Sequence, residues 1–137
     1  MIGVDRPITI DTNIAVYALG TNEKNDVAAA ALRASAFISV QVLNEFANVA
    51  LRKRHDDWTV IAGDVAAIRA VVPLIRSIDE AAHHDARRIC ERYQSSFYDA
   101  LMLAVALAGG ARTIYSEDMH HGLVVDGALR IVDPFRD

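Results

Sequence analysis

The stretch Pro7–Asn13, P-I-T-I-D-T-N, decides how this chain is read. Ile8, Thr9 and Ile10 form a short β-branched run, which favours a strand. Asp11, Thr12 and Asn13 follow with no linker, and all three are residue types that cap helices. A strand running directly into a helix is the repeating unit of α/β folds, and here the junction carries a carboxylate.

The rest of the chain repeats that alternation. The first helix is read from Asn13 to about Leu19, the polar Gly20–Asn25 as a turn, and the alanine-rich Asp26–Ala34 as a second helix. Phe37 and Ile38 indicate a brief strand, after which Ser39 caps a long helix to about Arg54. Leu43, Phe46, Ala47, Ala50 and Leu51 follow helical spacing there, with Glu45 on the edge of the stripe. Trp58 to about Val72 reads as helix ended by Pro73, Leu74–Ile78 as strand, and Asp79 to about Tyr93 as helix. Ser96–Ala108 is an apolar helix stopped by Gly109-Gly110. Arg112–Ser116 is strand-like, Glu117–Gly122 is a polar loop, and Leu129–Val132 is the last strand. The pattern implies a short parallel sheet flanked by helices on both faces, with chemistry gathered beyond the carboxyl ends of the strands.

With 137 residues, 53% hydrophobic and 23% charged, 7 Gly and 3 Pro, the chain is expected to be one globular domain, 1–137, without repeats or linkers. A single cysteine, Cys90, excludes an intrachain disulfide and a cysteine-based zinc site and fits a reducing cytoplasm. No secretory leader opens the sequence, and no apolar run approaches the ~18 residues of a membrane span. A soluble, unexported protein with no membrane partner is therefore expected. The net charge of -4 argues against a general electrostatic nucleic-acid binder, so any such contact must be local. The candidates are Arg52, Lys53, Arg54 and His55, and the group Arg87, Arg88 and Arg92; solvated helix faces are the equal alternative.

Acidic residues recur at the predicted sheet edge. Asp11 follows the first strand, Glu45 lies early in the helix after the second, Asp99 in the first turn of its helix, and Glu117-Asp118 just after the Arg112–Ser116 strand. Each has a structural explanation alone: Asp11 as an N-cap, and Ser96 with Asp99 as a capping box in which Asp replaces Glu. The explanation weakens for the set. Two unit charges ~4 Å apart repel by about 4 kcal/mol at an effective dielectric near 20, more than the ~0.3–1 kcal/mol that a helix N-terminus returns. Convergent carboxylates imply a cation, and an oxygen-only set suits a hard ion such as Mg²⁺ or Mn²⁺ that keeps positions open for phosphate oxygens. That points to phosphodiester chemistry.

The same residues carry a resemblance. I-D-T-N at Ile10–Asn13, S-V-Q-V-L-N-E-F at Ser39–Phe46, S-F-Y-D-A-L at Ser96–Leu101 and Y-S-E-D-M-H-H-G at Tyr115–Gly122 look like the motif series of PIN-domain proteins. The order and spacing, together with I-V-D-P-F at Ile131–Phe135, are most similar to VapC toxins of type II toxin-antitoxin pairs. The resemblance implies a PIN-like three-layer fold and a Mg²⁺-dependent (or Mn²⁺-dependent) endoribonuclease that hydrolyses RNA through a metal-activated water. It further implies a homodimer inhibited by a cognate VapB-like antitoxin. Asp11, Glu45, Asp99 and Asp118 would be the catalytic and metal-site carboxylates. Thr12 and Asn13 would orient Asp11 or water, and Ser116 would contact phosphate or metal-bound water. Glu117 competes with Asp118 for the fourth position, and Asp118 is favoured. Asp5 imitates the family's opening, but Arg6-Pro7 follows where Thr-Asn is expected, so the register selects Asp11. A PIN nuclease of RNA processing or DNA flaps, and a PIN-like binding module without catalysis, are the competing readings.

His83-His84 and His120-His121 are adjacent pairs whose side chains diverge on a helix, so they make poor joint ligands. Surface polarity is expected of the first pair; the second follows the acidic loop and is expected to be polar loop surface ahead of a contact to substrate phosphate. Trp58 is expected to pack at a helix start, and Cys90 to be a small core residue.

Overall fold

The computed structural model describes residues 7–136, so Asp5 lies outside the described residues. β1 (Ile8–Ile10) runs into α1 (Thr12–Ala18), and α2 (Asn25–Ala34) follows. β2 (Ile38–Ser39) leads into α3 (Val40–Arg52), and α4 (Trp58–Val71) into β3 (Ile75–Arg76). α5 (Glu80–Tyr93) and α6 (Phe97–Ala108) are consecutive, and β4 (Thr113–Tyr115), β5 (Val124–Val125) and β6 (Leu129–Val132) close the chain. Side-chain caps start most of the helices. Asp11, Ser39, Asp57, Asp79 and Ser96 each stand just before a helix with a side-chain oxygen accepting a backbone N–H of its first turn.

The main sheet has the order β1-β4-β6-β5, parallel except for β5, which pairs antiparallel with β6. A second pair, β2 with β3, is parallel. The two are linked at β1, where Ala36 N–H donates to Ile8 O (2.9 Å) and the Thr9 hydroxyl donates to Phe37 O (2.7 Å). Thr9 and Ile10 point to opposite faces of β1, and both are buried. The sheet is thus covered on both sides, as the alternation of elements requires.

α6 supplies the centre of the core. Every residue from Ala100 to Ala106 is buried, whereas Phe97 and Tyr98 before them are exposed. Its end packs closely: a Cβ on Gly109 would stand 2.7 Å from Cε2 of Phe37 and 2.9 Å from Cδ of Arg76. Among the described residues no helix is long and apolar enough to cross a membrane.

Three expectations are corrected. α3 ends at Arg52 and not Arg54, because Lys53 caps it, Asp56 N–H returns to Ala50 O, and His55 takes a positive φ of 57°. Trp58 is 63% exposed and does not pack, because the buried stripe of α4 begins one turn later at Ile61. β5 was not expected, since two valines before an Asp-Gly turn are too short a run to register as a strand. Cys90 is half-buried against the core.

Gly109→Ala is expected to destabilise the fold by about 1–3 kcal/mol, because the buried Phe37 ring must move to admit the methyl group. Urea unfolding of the two proteins measures this; an unchanged midpoint would mean that the ring shifts freely.

Candidate functional site

Parallel pairing places the first components. The register sets Ile10 beside Tyr115, and Asp11 N–H donates to Tyr115 O (2.9 Å) while Ser116 N–H donates to Val132 O (2.9 Å). Asp11 and Ser116 are therefore neighbours at the carboxyl ends of adjacent strands. The Asp11 carboxylate accepts from Thr12 N–H (2.7 Å) and from the Ser116 hydroxyl (2.8 Å). That hydroxyl also accepts from the N–H groups of Asp118 (3.3 Å) and Met119 (3.1 Å), so its one donor and two lone pairs are all engaged.

The other acids arrive from different elements. Glu45, in the second turn of α3, accepts from the Thr12 hydroxyl (2.5 Å) and from Gln41 Nε2 (2.9 Å), one turn back on its own helix. Asp118 accepts from Asn13 Nδ2 (2.9 Å), while Asn13 Oδ1 takes the Glu117 N–H (3.3 Å). Asp99 stands in the first turn of α6, with its N–H on the Ser96 hydroxyl (3.2 Å). Asp11, Thr12, Asn13, Glu45, Asp99 and Asp118 all line one cavity of about 500 Å³. Ser116 is fully buried and does not line the cavity; it touches the lining residues Asp11 and Asp118.

The electrostatics match that crowding. Burial pushes the Asp11 carboxyl up to about 6, against the hydrogen bonds from Ser116 and Thr12, with the Asp99 and Glu45 charges adding to the rise. Asp99 is also raised, by burial first, opposed by the Ser96 hydroxyl and assisted by Glu45 and Asp118. Glu117 behaves oppositely. It lines the same cavity but is bound by Lys24 and by the Tyr17 hydroxyl (2.6 Å), which hold its carboxyl below the ordinary range. Lys24 and Tyr17 thus already compensate the Glu117 charge, while among the described residues Asp118 has only the neutral Asn13 amide.

Among the described residues, no three His, Cys, Asp or Glu side chains already stand in a metal-holding arrangement. The donor set nevertheless fits a hard cation: it is all oxygen, negatively charged, and partly desolvated around an open cavity. An ion that retains several waters needs few direct carboxylate ligands, and so tolerates acids spread around such a cavity.

A PIN domain family model matches residues 8–122. The chain belongs to the PIN-domain family. Among solved structures this PIN domain is similar to a toxin-antitoxin complex from Klebsiella pneumoniae, at 20% identity and TM-score 0.72, covering 95% of this chain and 99% of that one. It is similar also to the Mycobacterium tuberculosis VapC20 toxin, described as cleaving the sarcin-ricin loop, at 20% identity and TM-score 0.64 over 81% and 89% of the two chains. VapBC2 from Rickettsia felis, bound to a DNA fragment from its promoter, matches at 21% identity and TM-score 0.59 over 81% and 87%. At these identities the likeness concerns the fold. No curated protein matches the chain.

The basic groups separate. Lys53 lines the acidic cavity. Arg54 is held by Asp56 (2.8 Å) and Asp64 (3.2 Å), Arg87 by Glu91 (3.4 Å), and Arg88 by Asp85 (2.8 Å) and Asp126 (2.6 Å). His83 and His84 are exposed and meet edge to face, and His121 Nδ1 accepts the Asp133 N–H (2.9 Å). Sequence reasoning missed Gln41, Tyr17 and Lys24. Gln41 carried a signal in its four-residue spacing to Glu45; the grip of Tyr17 and Lys24 on Glu117 spans about a hundred residues and carried none.

The raised Asp11 value sets a pH dependence in metal-free protein. Below the unfolded value of 3.8 both states are protonated; between 3.8 and about 6 only the folded state keeps the proton, so stability falls as pH rises; above 6 the whole cost remains. Two pKa units set a ceiling of about 3 kcal/mol. Asp11→Asn in EDTA should therefore melt several degrees above wild type at pH 7.5, with the gap closing near pH 4. A variant that melts lower at both pH values would show that the Thr12 and Ser116 hydrogen bonds to the carboxylate outweigh its buried charge.

Proposed function

We propose that this PIN domain is a metal-dependent endoribonuclease of the VapC toxin type, held in check by a cognate VapB-like antitoxin and acting as a homodimer. One observation carries the reading: carboxylates from separate segments line a single cavity at the sheet edge, with Asp11 raised to about 6 by burial and by its acidic neighbours. Such an arrangement stores repulsion that a divalent cation relieves. Asp11, Glu45, Asp99 and Asp118 would hold Mg²⁺ or Mn²⁺. When bound, the ion supplies Lewis-acid polarisation of the phosphodiester and lowers the pKa of an attacking water.

The chain's own residues do the positioning. Thr12 directs Glu45, Ser116 directs Asp11, and Asn13 directs Asp118, each through a single short hydrogen bond. Lys53 on the cavity wall offers a cation to a neighbouring phosphate and so keeps a polyanion from being repelled by the acids. RNA as substrate and an antitoxin as partner are supported by the PIN family and by the fold shared with VapC20 and with the toxin-antitoxin complexes. The presence of all four acids disfavours a binding module that has lost catalysis.

Calorimetric titration of Mn²⁺ is expected to give saturable binding in wild type that is lost or at least tenfold weaker in Asp99→Asn, with RNA cleavage reduced at least a hundredfold and the fold intact. Equal cleavage by the variant would remove Asp99 from the site. Metal-dependent cleavage without growth arrest on expression, and without a neighbouring antitoxin gene, would favour an RNA-processing nuclease.

The adjacent acids provide a finer test. Asp118→Asn should weaken Mn²⁺ binding several-fold, whereas Glu117→Gln should leave it nearly unchanged, because Lys24 and Tyr17 already engage that carboxylate. The reverse pattern would assign the fourth ligand to Glu117.

A further inference from the structure

A second chamber, of about 450 Å³, adjoins the acidic cavity and shares Asp99 and Asp118 as a common wall. Its volume falls within the ~300–1,000 Å³ typical of small-molecule sites. Its apolar lining is buried Leu103, Met119 and Ile131; exposed Gln94 and His120 stand at its rim, and Tyr93 and Ser95 line its wall. Among the described residues, the Ser95 hydroxyl is the one buried side-chain polar atom without a hydrogen-bond partner. A buried, unpaired hydroxyl in a cavity wall calls for a ligand or a solvent molecule.

Ser95 lies in the short link between α5 and α6. Gln94 ends α5 in the left-handed conformation (φ 57°), and Ser96 is the N-cap of α6, so Ser95 is pinned between two helix caps. The neighbouring Tyr93 ring is pinned as well: its hydroxyl accepts the Asp126 N–H (2.8 Å) and donates to the Asp126 carboxylate (3.3 Å), which Arg88 grips in turn. A rigid aromatic wall, an apolar lining and a few polar groups together make a receptor for a flat heterocycle, and enzymes that act on single-stranded RNA read bases splayed out in this way.

We propose that this chamber takes one unstacked nucleobase of the RNA substrate, that of the nucleotide whose phosphodiester meets Asp99 and Asp118, and that Ser95, Gln94 and His120 read its edge. The inference rests on the ribonuclease reading above and adds to it a specificity site. Tyr93 would flank the base, and the shared wall would set the distance from base to scissile bond.

The test uses the ¹⁵N-labelled full chain in EDTA, titrated by NMR with AMP, CMP, GMP and UMP and with ribose 5-phosphate, which lacks a base. At least one nucleotide should bind at least fivefold more tightly than ribose 5-phosphate and shift the amides of Gln94, Ser95 and Leu123. Ser95→Ala and His120→Ala should each weaken that nucleotide several-fold, with ribose 5-phosphate binding and Mn²⁺ affinity unchanged. Equal binding of nucleotides and ribose 5-phosphate, or shifts confined to the Glu45 and Lys53 side, would overturn the proposal. The two readings fail separately. Base-dependent shifts in a protein that cleaves no RNA would refute the nuclease and leave a nucleotide site, whereas Asp99-dependent cleavage with no base preference would refute the chamber and leave the nuclease.

Discussion

The hydrogen bond from Ser116 to Asp11 joins the ends of two adjacent parallel strands, and the site is organised from it. Parallel pairing of β1 with β4 makes the two chains run out of sheet at the same height, at Ile10 and Tyr115. Beyond that level each must turn. Asp11 turns into α1 as its N-cap, and Ser116 turns into the acidic loop by accepting two of its backbone N–H groups. Thr12 and Asn13, one and two residues farther along α1, then reach Glu45 and Asp118. That register sets Asp11 and Asp118 relative to each other, while α3 and α6 bring Glu45 and Asp99.

That geometry opposes folding as much as it serves chemistry. Burying Asp11 among like charges costs free energy, and the cost is offset elsewhere by apolar packing. α6 shows both sides of the exchange within one helix: Asp99 in its first turn faces the other acids, and the continuous buried run from Ala100 to Ala106 anchors it in the core. Local rules broken at one edge of an otherwise consistent fold are what a functional site is expected to look like. A PIN domain family model covers residues 8–122, and the solved toxin structures share the fold.

Much of the fold was legible because its signals are local. Ser39, Asp79 and Ser96 mark helix starts through side chain to backbone bonds that span only two or three residues, and the α6 run is apolar on its face. The errors have equally physical origins. Trp58 is a large apolar residue, yet burial depends on what lies opposite, and the buried face of α4 begins only at Ile61. β5 exists because β6 offers it an edge, not because Val124-Val125 has strong intrinsic preference. Arg87 and Arg88, which the sequence left open between a solvated face and a nucleic-acid contact, pair with Glu91, Asp85 and Asp126, the last from a distant turn.

The sequence by itself determined the alternation of strands and helices, the caps, and the acids that stand at strand-to-helix junctions, because each depends on neighbours within about one helical turn. Tertiary structure decided the rest. It turned Glu117 toward Lys24 and Tyr17 and left Asp118 beside Asn13, although the two acids are adjacent in the chain. It raised Asp11 to about 6, and it set Ser95 unpaired in a wall shared with Asp99 and Asp118. These outcomes depend on side chains brought together from segments as much as a hundred residues apart. Their charge, burial and hydrogen bonding are properties of the packed surface that receives them, which no local pattern encodes.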